Sequence, residues 1–213
     1  MCILYLTSSG PGTLTATYGN TVLTNGSQLP MDAEISIQAV PDAHCKVSAL
    51  TKNAEDLTAL FPTDPNDNSL SGTITMDAQT VSVTATFAIS ERKVTVNTLG
   101  TGGGTVDIKE ASDIDYTPYL SGTYYLPADS ELSIKFTPDE TSVLNTQNIT
   151  GVTPIYDSVT DTYTCALTAD TVISAVFDMT MCVVTYNTPE NGILTVRDGI
   201  GQTVDSGTAV PVG

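Results

Sequence analysis

The sequence predicts a mainly β protein built from tandem small β domains with little helix. Thr, Ser, Val and Ile are frequent, and these residues suit the pleated, half-buried surface of a sheet. Asn25-Gly26, Ser121-Gly122 and Ser206-Gly207 stand between the strand-like segments, where glycine marks turns. In addition, PMDAEISIQAVPD (residues 30–42) and PADSELSIKFTPD (residues 127–139) agree at seven positions. A repeated strand motif indicates a repeated domain.

The strand prediction depends on alternation of apolar and polar residues with a period of two. Ser36, Gln38, Ser133 and Lys135 are predicted to face solvent, as in a sheet that is covered on one side only. The residues predicted to face the core are Ile35, Ile37, Ala39, Val81, Val83, Ala85, Phe87, Leu132, Ile134 and Phe136.

The domain prediction depends on the order of several shorter motifs. MCILYLTS, KVTVNT and MCVVTYNT open three units, and PGTL, GGTV and NGILTV follow them. Next come NGSQLP, SGTYYLP and SGTAVP, in which Asn-Gly and Ser-Gly indicate turns. MDAQTVSVTATF (76–87) and LTADTVISAVF (167–177) close the first two units. We therefore predict one β repeat over 1–91, a second over 92–181, and the truncated first half of a third over 182–213.

Helix has one plausible place in the first repeat. TKNAEDLTALF (51–61) has Asn53 as a possible cap and three apolar residues at near-helical spacing. This segment is expected to be irregular or to form one or two helical turns.

The order of these motifs resembles the divergent internalin-B-type B-repeat of Listeria-type and Bacteroides-type bacterial surface proteins. The resemblance implies small β-grasp-like or immunoglobulin-like sandwich domains that act as stalks, spacers or adhesive units without enzyme activity. The family usually continues with Gly-Tyr-x-Phe-x-x-Trp after its proline, whereas DAHCKVSAL and DETSVLNTQ stand here. Both topologies therefore remain open at this point.

Charge restricts the partners of the chain. It carries 24 acidic and 7 basic residues, a formal net charge of −17. So few basic residues cannot neutralise a phosphate backbone or an anionic membrane surface. No apolar run reaches the ~18–20 residues that span a membrane, and the first ten residues lack the basic start of a signal peptide. We expect an extracellular or cell-surface location, with the export signal outside this sequence, and an unknown protein or glycan as partner.

Catalytic residues are not evident, so we expect no enzyme activity. His44 is the only histidine, and adjacent residues of a strand such as His44 and Cys45 point to opposite faces. The pairs Asp32/Glu34 and Asp129/Glu131 are interpreted as solvent-facing positions at the start of a strand. The four cysteines form no CxxC pair and are expected to be free and mostly buried.

No cofactor is predicted, and calcium is the alternative that the sequence leaves open. DPNDNS offers Asp64, Asn66 and Asn68, with Asp67, as oxygen ligands, and EASDID (110–115) offers further carboxylates. Neither segment has the glycine and terminal glutamate of an EF-hand loop. A polar turn is the competing interpretation.

Tyrosines crowd the loops of the second repeat. Tyr116, Tyr119, Tyr124 and Tyr125 lie within ten residues, where their rings could stack on a sugar or a protein surface. They support an alternative function as a carbohydrate-binding or other ligand-binding module. Packing at the edge of the core is the competing explanation.

The third unit ends before its counterpart of the repeated strand motif. We expect Val184, Tyr186 and Leu194 to lack a covering partner in this unit, so that edge-to-edge self-association through residues 182–213 becomes possible.

Overall fold

The structure, a computed structural model, describes residues 1–211. The described residues form twenty β-strands and no helix, which confirms the prediction of tandem small β domains. The chain divides into two compact units, Met1–Glu91 and Arg92–Gly213.

The first unit contains nine strands. They are β1 (Cys2–Ser9), β2 (Gly12–Tyr18), β3 (Thr21–Val22), β4 (Ser27–Leu29), β5 (Glu34–Pro41), β6 (Cys45–Lys52), β7 (Glu55–Asp56), β8 (Leu70–Thr75) and β9 (Thr80–Ile89).

These strands form two sheets, in the orders β4-β1-β9-β6-β7 and β3-β2-β5-β8. Only β1 and β9, the first and last strands, pair in parallel; the other described pairs are antiparallel. Apolar residues of both sheets belong to one buried cluster, so the unit is a two-layer sandwich. A β-grasp arrangement needs a helix across one sheet, and residues 1–91 contain none.

The second unit repeats this plan. Its strands are β10 (Glu91–Leu99), β11 (Gly104–Glu110), β12 (Thr117–Tyr119), β13 (Gly122–Pro127), β14 (Glu131–Pro138), β15 (Ser142–Thr150), β16 (Ile155–Asp157), β17 (Thr162–Ala166) and β18 (Thr171–Met179), with β19 (Met181–Val184) and β20 (Thr208–Pro211) beyond them. The sheets run β13-β10-β18-β15 and β12-β11-β14-β17-β16, and β10 pairs with β18 in parallel. Strands β19 and β20 form a separate antiparallel pair.

Burial follows the predicted alternation. Every residue predicted to face the core is buried, from Ile35, with no exposed surface, to Phe136, with 7 % exposed. Ser36, Gln38 and Lys135 are exposed as predicted, and Ser133 is half-buried. Each unit has its own apolar cluster, which explains why the strand motif occurs twice.

The Asn-Gly and Ser-Gly motifs make the same hydrogen bond three times. In the first unit, the backbone N–H of Leu6 donates to Oδ1 of Asn25 at 2.9 Å. Thr98 donates to Oγ of Ser121 at 2.8 Å, and Tyr186 donates to Oγ of Ser206 at 3.0 Å. The residue before the glycine thus fixes the turn to the opening strand, so these dipeptides do more than permit a bend.

The repeated aspartates occupy turns rather than strands. Asp32 and Asp129 have φ of 63° and 62°, a left-handed conformation that Asp tolerates better than most residues. Their N–H groups donate to the carbonyls of Met76 and Leu167, each at 3.0 Å. Both residues are solvent-exposed as expected, but they lie in the turn that precedes the strand, and β5 and β14 begin only at Glu34 and Glu131.

The segment 51–61 contains turns and a short strand. Asn53 and Ala54 have positive φ and reverse the chain between β6 and β7. The N–H groups of Leu60 and Phe61 then donate to the carbonyl of Leu57 at 3.0 and 3.1 Å, which makes a single turn. The irregular alternative is therefore correct, and no helix forms here.

A phenylalanine closes each sandwich against glycines that follow the first strand. Gly10 has φ of +84° and lies against the backbone carbonyl of Phe87, and Gly12 lies against the ring of the same residue. Gly100 and Gly104 have the same relation to Phe177. A methyl group at any of these glycines would overlap the phenylalanine, so glycine is required by space and, at Gly10 and Gly100, also by conformation.

We expect Gly10→Ala to destabilise the first unit by at least about 2 kcal/mol, because both a left-handed alanine and a backbone collision have to be accommodated. Gly19→Ala is the matched control: Gly19 has φ of +58° and open space around its Cα, so only the conformational cost of about 1 kcal/mol applies. Urea denaturation of the two variants measures the difference. Equal losses would contradict the proposed contact.

Candidate binding surfaces

Two of the four predicted binding tyrosines belong to the edge of the core. Tyr119 on β12 lies opposite the buried Val106 in the sheet register. Its ring meets that of Tyr124 edge to face, with centroids 4.6 Å apart, and both rings pack against the core of the second unit. Burial, followed by the negative charge of Glu110, raises the pKa of Tyr119. These two rings are structural supports of β12 and β13.

The other two predicted tyrosines are Tyr116 and Tyr125. The hydroxyl of Tyr116 lies 2.7 Å from Oγ of Ser133, and Nζ of Lys109 lies 5.1 Å from the centre of the Tyr116 ring. Tyr125 neighbours Tyr124 on β13 and is 45 % exposed. The structure therefore brings the rings of Tyr119 and Tyr124 together, whereas Tyr116 contacts Ser133 and Lys109.

The candidate calcium loop forms a tight turn between Thr63 and β8. Oδ1 of Asp64 accepts hydrogen bonds from the backbone N–H and the side-chain amide of Asn66, both at 2.8 Å. Oδ1 of Asp67 accepts from the N–H of Ser69 at 2.9 Å. The Ser69 side chain, followed by this backbone N–H, lowers the pKa of Asp67. Asn68 has φ of 56°. These are the bonds of Asx turns, in which the carboxylate supports the local backbone.

The second unit has a comparable hairpin between β16 and β17. There Oδ1 of Asp157 accepts from the N–H of Val159 at 2.9 Å, and this bond is the main reason that the pKa of Asp157 is lowered. In EASDID, Oδ2 of Asp113 accepts from the N–H of Glu110 at 3.2 Å. Across residues 1–211, no three His, Cys, Asp or Glu side chains gather in a way that could hold a metal ion.

The only histidine of the sequence lies beside a carboxylate at the surface. His44 has φ of 63°, and its Nδ1 lies 2.7 Å from Oε2 of Glu91. Cys45 is buried, as are the free thiols of Cys2 and Cys165, and burial raises the pKa of the Cys165 thiol. The side chain of Cys182 lies outside the described part of the structure.

A different aromatic row emerges on the opposite edge of the same sheet. Phe136 in the core meets Tyr163 on β17 edge to face at 5.8 Å, and Tyr163 lies 4.9 Å from Tyr156 on β16 with the ring planes tilted by 38°. Tyr156 is 50 % exposed. This row was not predicted, because Tyr156 and Tyr163 are separated by a hairpin whose register is not evident from the sequence.

Residues 181–211 contain the apolar residues that were predicted to lack a covering partner. Val184 and Tyr186 are half-buried, and the Tyr186 hydroxyl donates to the carbonyl of the buried Val204 at 2.8 Å. Leu194 is 43 % exposed. Within the described residues, β19 pairs with β20 alone.

The described residues contain no helix that is both long and apolar enough to cross a membrane.

Comparison with solved structures finds distant likeness only at low sequence identity, as one example shows. No protein-family model and no curated protein matches the chain. A solved structure entitled "The Bacillus anthracis TIE protein" aligns with 99 % of this chain at 10 % identity and a TM-score of 0.36. The chain spans 43 % of that protein's length.

We expect Tyr119→Ala to destabilise the second unit by about 3 kcal/mol, because a ring packed on both Tyr124 and the core is removed. Tyr125→Ala should lose less, about 1 kcal/mol, because nearly half of that residue is already exposed. Thermal and urea unfolding measure both variants. A larger loss for Tyr125→Ala would contradict the assigned orientations.

Asp64 distinguishes a turn from a calcium site. Asparagine retains the oxygen that accepts the backbone N–H, so Asp64→Asn should remain within about 0.5 kcal/mol of the wild type, whereas Asp64→Ala should lose about 1 kcal/mol. We expect the same values in calcium and in chelator. A melting temperature that rises with calcium in the wild type but not in Asp64→Asn would instead support a metal site.

Proposed function

We propose that this chain is part of a non-enzymatic, secreted or cell-surface bacterial repeat protein whose sandwich units act as a stalk or adhesion module. The observation that carries the proposal is the parallel pairing of the first and last strands in each unit. In the first unit this pairing runs from Ile3 opposite Thr80 to Ser9 opposite Thr86. In the second unit it runs from Val94 opposite Thr171 to Leu99 opposite Val176.

Parallel pairing has a mechanical consequence within a unit. The chain enters at the start of β1 and leaves at the end of β9, and these two points lie at opposite ends of the paired strands. A force between them pulls β1 and β9 past each other, so the hydrogen bonds of the pair carry the load together. Such a unit resists extension, which suits a segment that holds a binding partner away from an anchoring point.

The acidic composition and the repeated core support the same role. The net charge of −17 favours a soluble surface and disfavours nucleic acid, leaving a protein or a glycan as the expected partner. Each unit has a separate apolar cluster, so unfolding of one core does not remove the other. We also propose self-association through β19 as a second contribution to adhesion. Among the described residues β19 pairs only with β20, so its other edge could pair with a second copy of the chain.

The alternative function is ligand binding through the tyrosines near β12 and β13. It rests on Tyr125, which is 45 % exposed. Loss of polysaccharide binding in a folded Tyr125→Ala variant would support this alternative.

Single-molecule stretching of the full chain tests the stalk role. With handles at Met1 and Glu91, the pair β1–β9 is sheared; with handles at Met1 and Gln79, the same pair is peeled from one end. We expect the unfolding force to be at least about twofold higher in the first geometry, because the bonds are loaded together and not in turn.

Stretching from Met1 to the last residue should give two main events, each releasing roughly 300 Å of chain at about 3.6 Å per residue. Equal forces in the two attachment geometries would contradict a load-bearing role for the parallel pair.

A further inference from the structure

The aromatic row of the second unit ends at a surface formed by two outermost strands. β15 is the last strand of the four-stranded sheet, and β16 is the last strand of the five-stranded sheet. Phe136 is buried, Tyr163 is half-buried and Tyr156 is 50 % exposed, so the row passes from the core to solvent. The Tyr156 ring lies against that of Tyr163, and half of the residue's surface is exposed to solvent.

Polar side chains hold both tyrosine hydroxyls in place. The hydroxyl of Tyr156 donates to Oδ1 of Asp161 at 2.9 Å. Nε2 of Gln147, on β15, donates to the hydroxyl of Tyr163 at 2.8 Å and so joins the two sheets. Gln147 retains its amide oxygen and one amide hydrogen, and Asp161 retains its second carboxylate oxygen, because the side chains make no further hydrogen bonds among the described residues.

The first unit shows that the core does not need this arrangement. Ile37 and Ile134 are matched residues of the repeated strand motif, and their neighbours in the sheet register are Gly72 and Tyr163. At Gly72 the space is filled by the ring of Phe61, which lies 2.7 Å from where a Cβ would stand. The apolar ring of Phe61 therefore covers this edge of the first sandwich. At the corresponding edge, the second sandwich has two tyrosines and two fixed polar groups.

We propose that Tyr156, Gln147 and Asp161 form a carbohydrate-binding site for a neutral pyranose ring of a polysaccharide. The exposed ring of Tyr156 offers a flat apolar surface for the C–H face of the sugar. The amide of Gln147 and the carboxylate of Asp161 offer both donors and acceptors for neighbouring hydroxyl groups. An anionic glycan is disfavoured by the net charge of −17. The site is distinct from Tyr116, Tyr119, Tyr124 and Tyr125 and goes beyond the mechanical role.

Affinity electrophoresis of the full chain in gels that contain xylan, laminarin, galactomannan or starch tests this site. At least one of these polysaccharides should retard the wild type. We expect Tyr156→Ala to weaken binding at least about tenfold. Gln147→Ala should weaken it by about threefold to tenfold.

Three variants serve as controls. Tyr156→Phe keeps the ring and should bind within about threefold of the wild type, which separates loss of the platform from loss of folding. Tyr18→Ala removes a comparably exposed ring from the first unit, 43 % exposed, and should bind normally. Tyr125→Ala should also bind normally.

Absence of retardation by all four polysaccharides would overturn the proposal. Full binding by a folded Tyr156→Ala, or loss of binding only in Tyr125→Ala, would overturn it as well. The stretching experiment does not involve these side chains, so failure of the sugar site and failure of the stalk role are distinguishable.

Discussion

Both sandwich units depend on one close contact, between a phenylalanine of the last strand and glycines that follow the first. Phe87 and Phe177 each place a carbonyl and a ring where only glycine leaves room, at Gly10 and Gly12 or at Gly100 and Gly104. Because this contact holds the end of the first strand beside the last strand, it fixes their parallel alignment and the position of the turn into the second sheet. The contact thereby closes one end of the core around which the remaining strands pair.

Much of this fold was predictable from the sequence, because it follows from local periodicity. Ile35, Ile37, Leu132 and Ile134 alternate with polar residues, and such alternation has one stable solution when one face is covered. Repetition of the motif then indicates a second domain. The choice between sandwich and β-grasp was not predictable, because it depends on which distant strands become neighbours, and the residues quoted for the family resemblance are compatible with either.

The binding surfaces illustrate the same limit. Tyr119 and Tyr124 were candidates because they are close in sequence, yet the sheet register turns them towards the core. Tyr156 and Tyr163 stack only because a hairpin brings them together, and Gln147 reaches them from the other sheet. Asp64 was a candidate calcium ligand because of its residue type. In the structure its carboxylate oxygen accepts a hydrogen bond from its own turn, and the sequence does not show which of the two roles the oxygen has.

The parallel pair also constrains how the chain acquires its fold. Ser9 and Thr86 are 77 positions apart, as are Asn97 and Ser174, so a first strand that emerges from the ribosome has to wait for nearly the whole unit before its partner is synthesised. Such distant pairing slows folding, and an early strand with an unpaired edge is open to the wrong partner. Since β18 of the second unit is built like β9 of the first, each could pair with the opening strand of the other unit. Such strand exchange is the misfolding route that this architecture has to avoid.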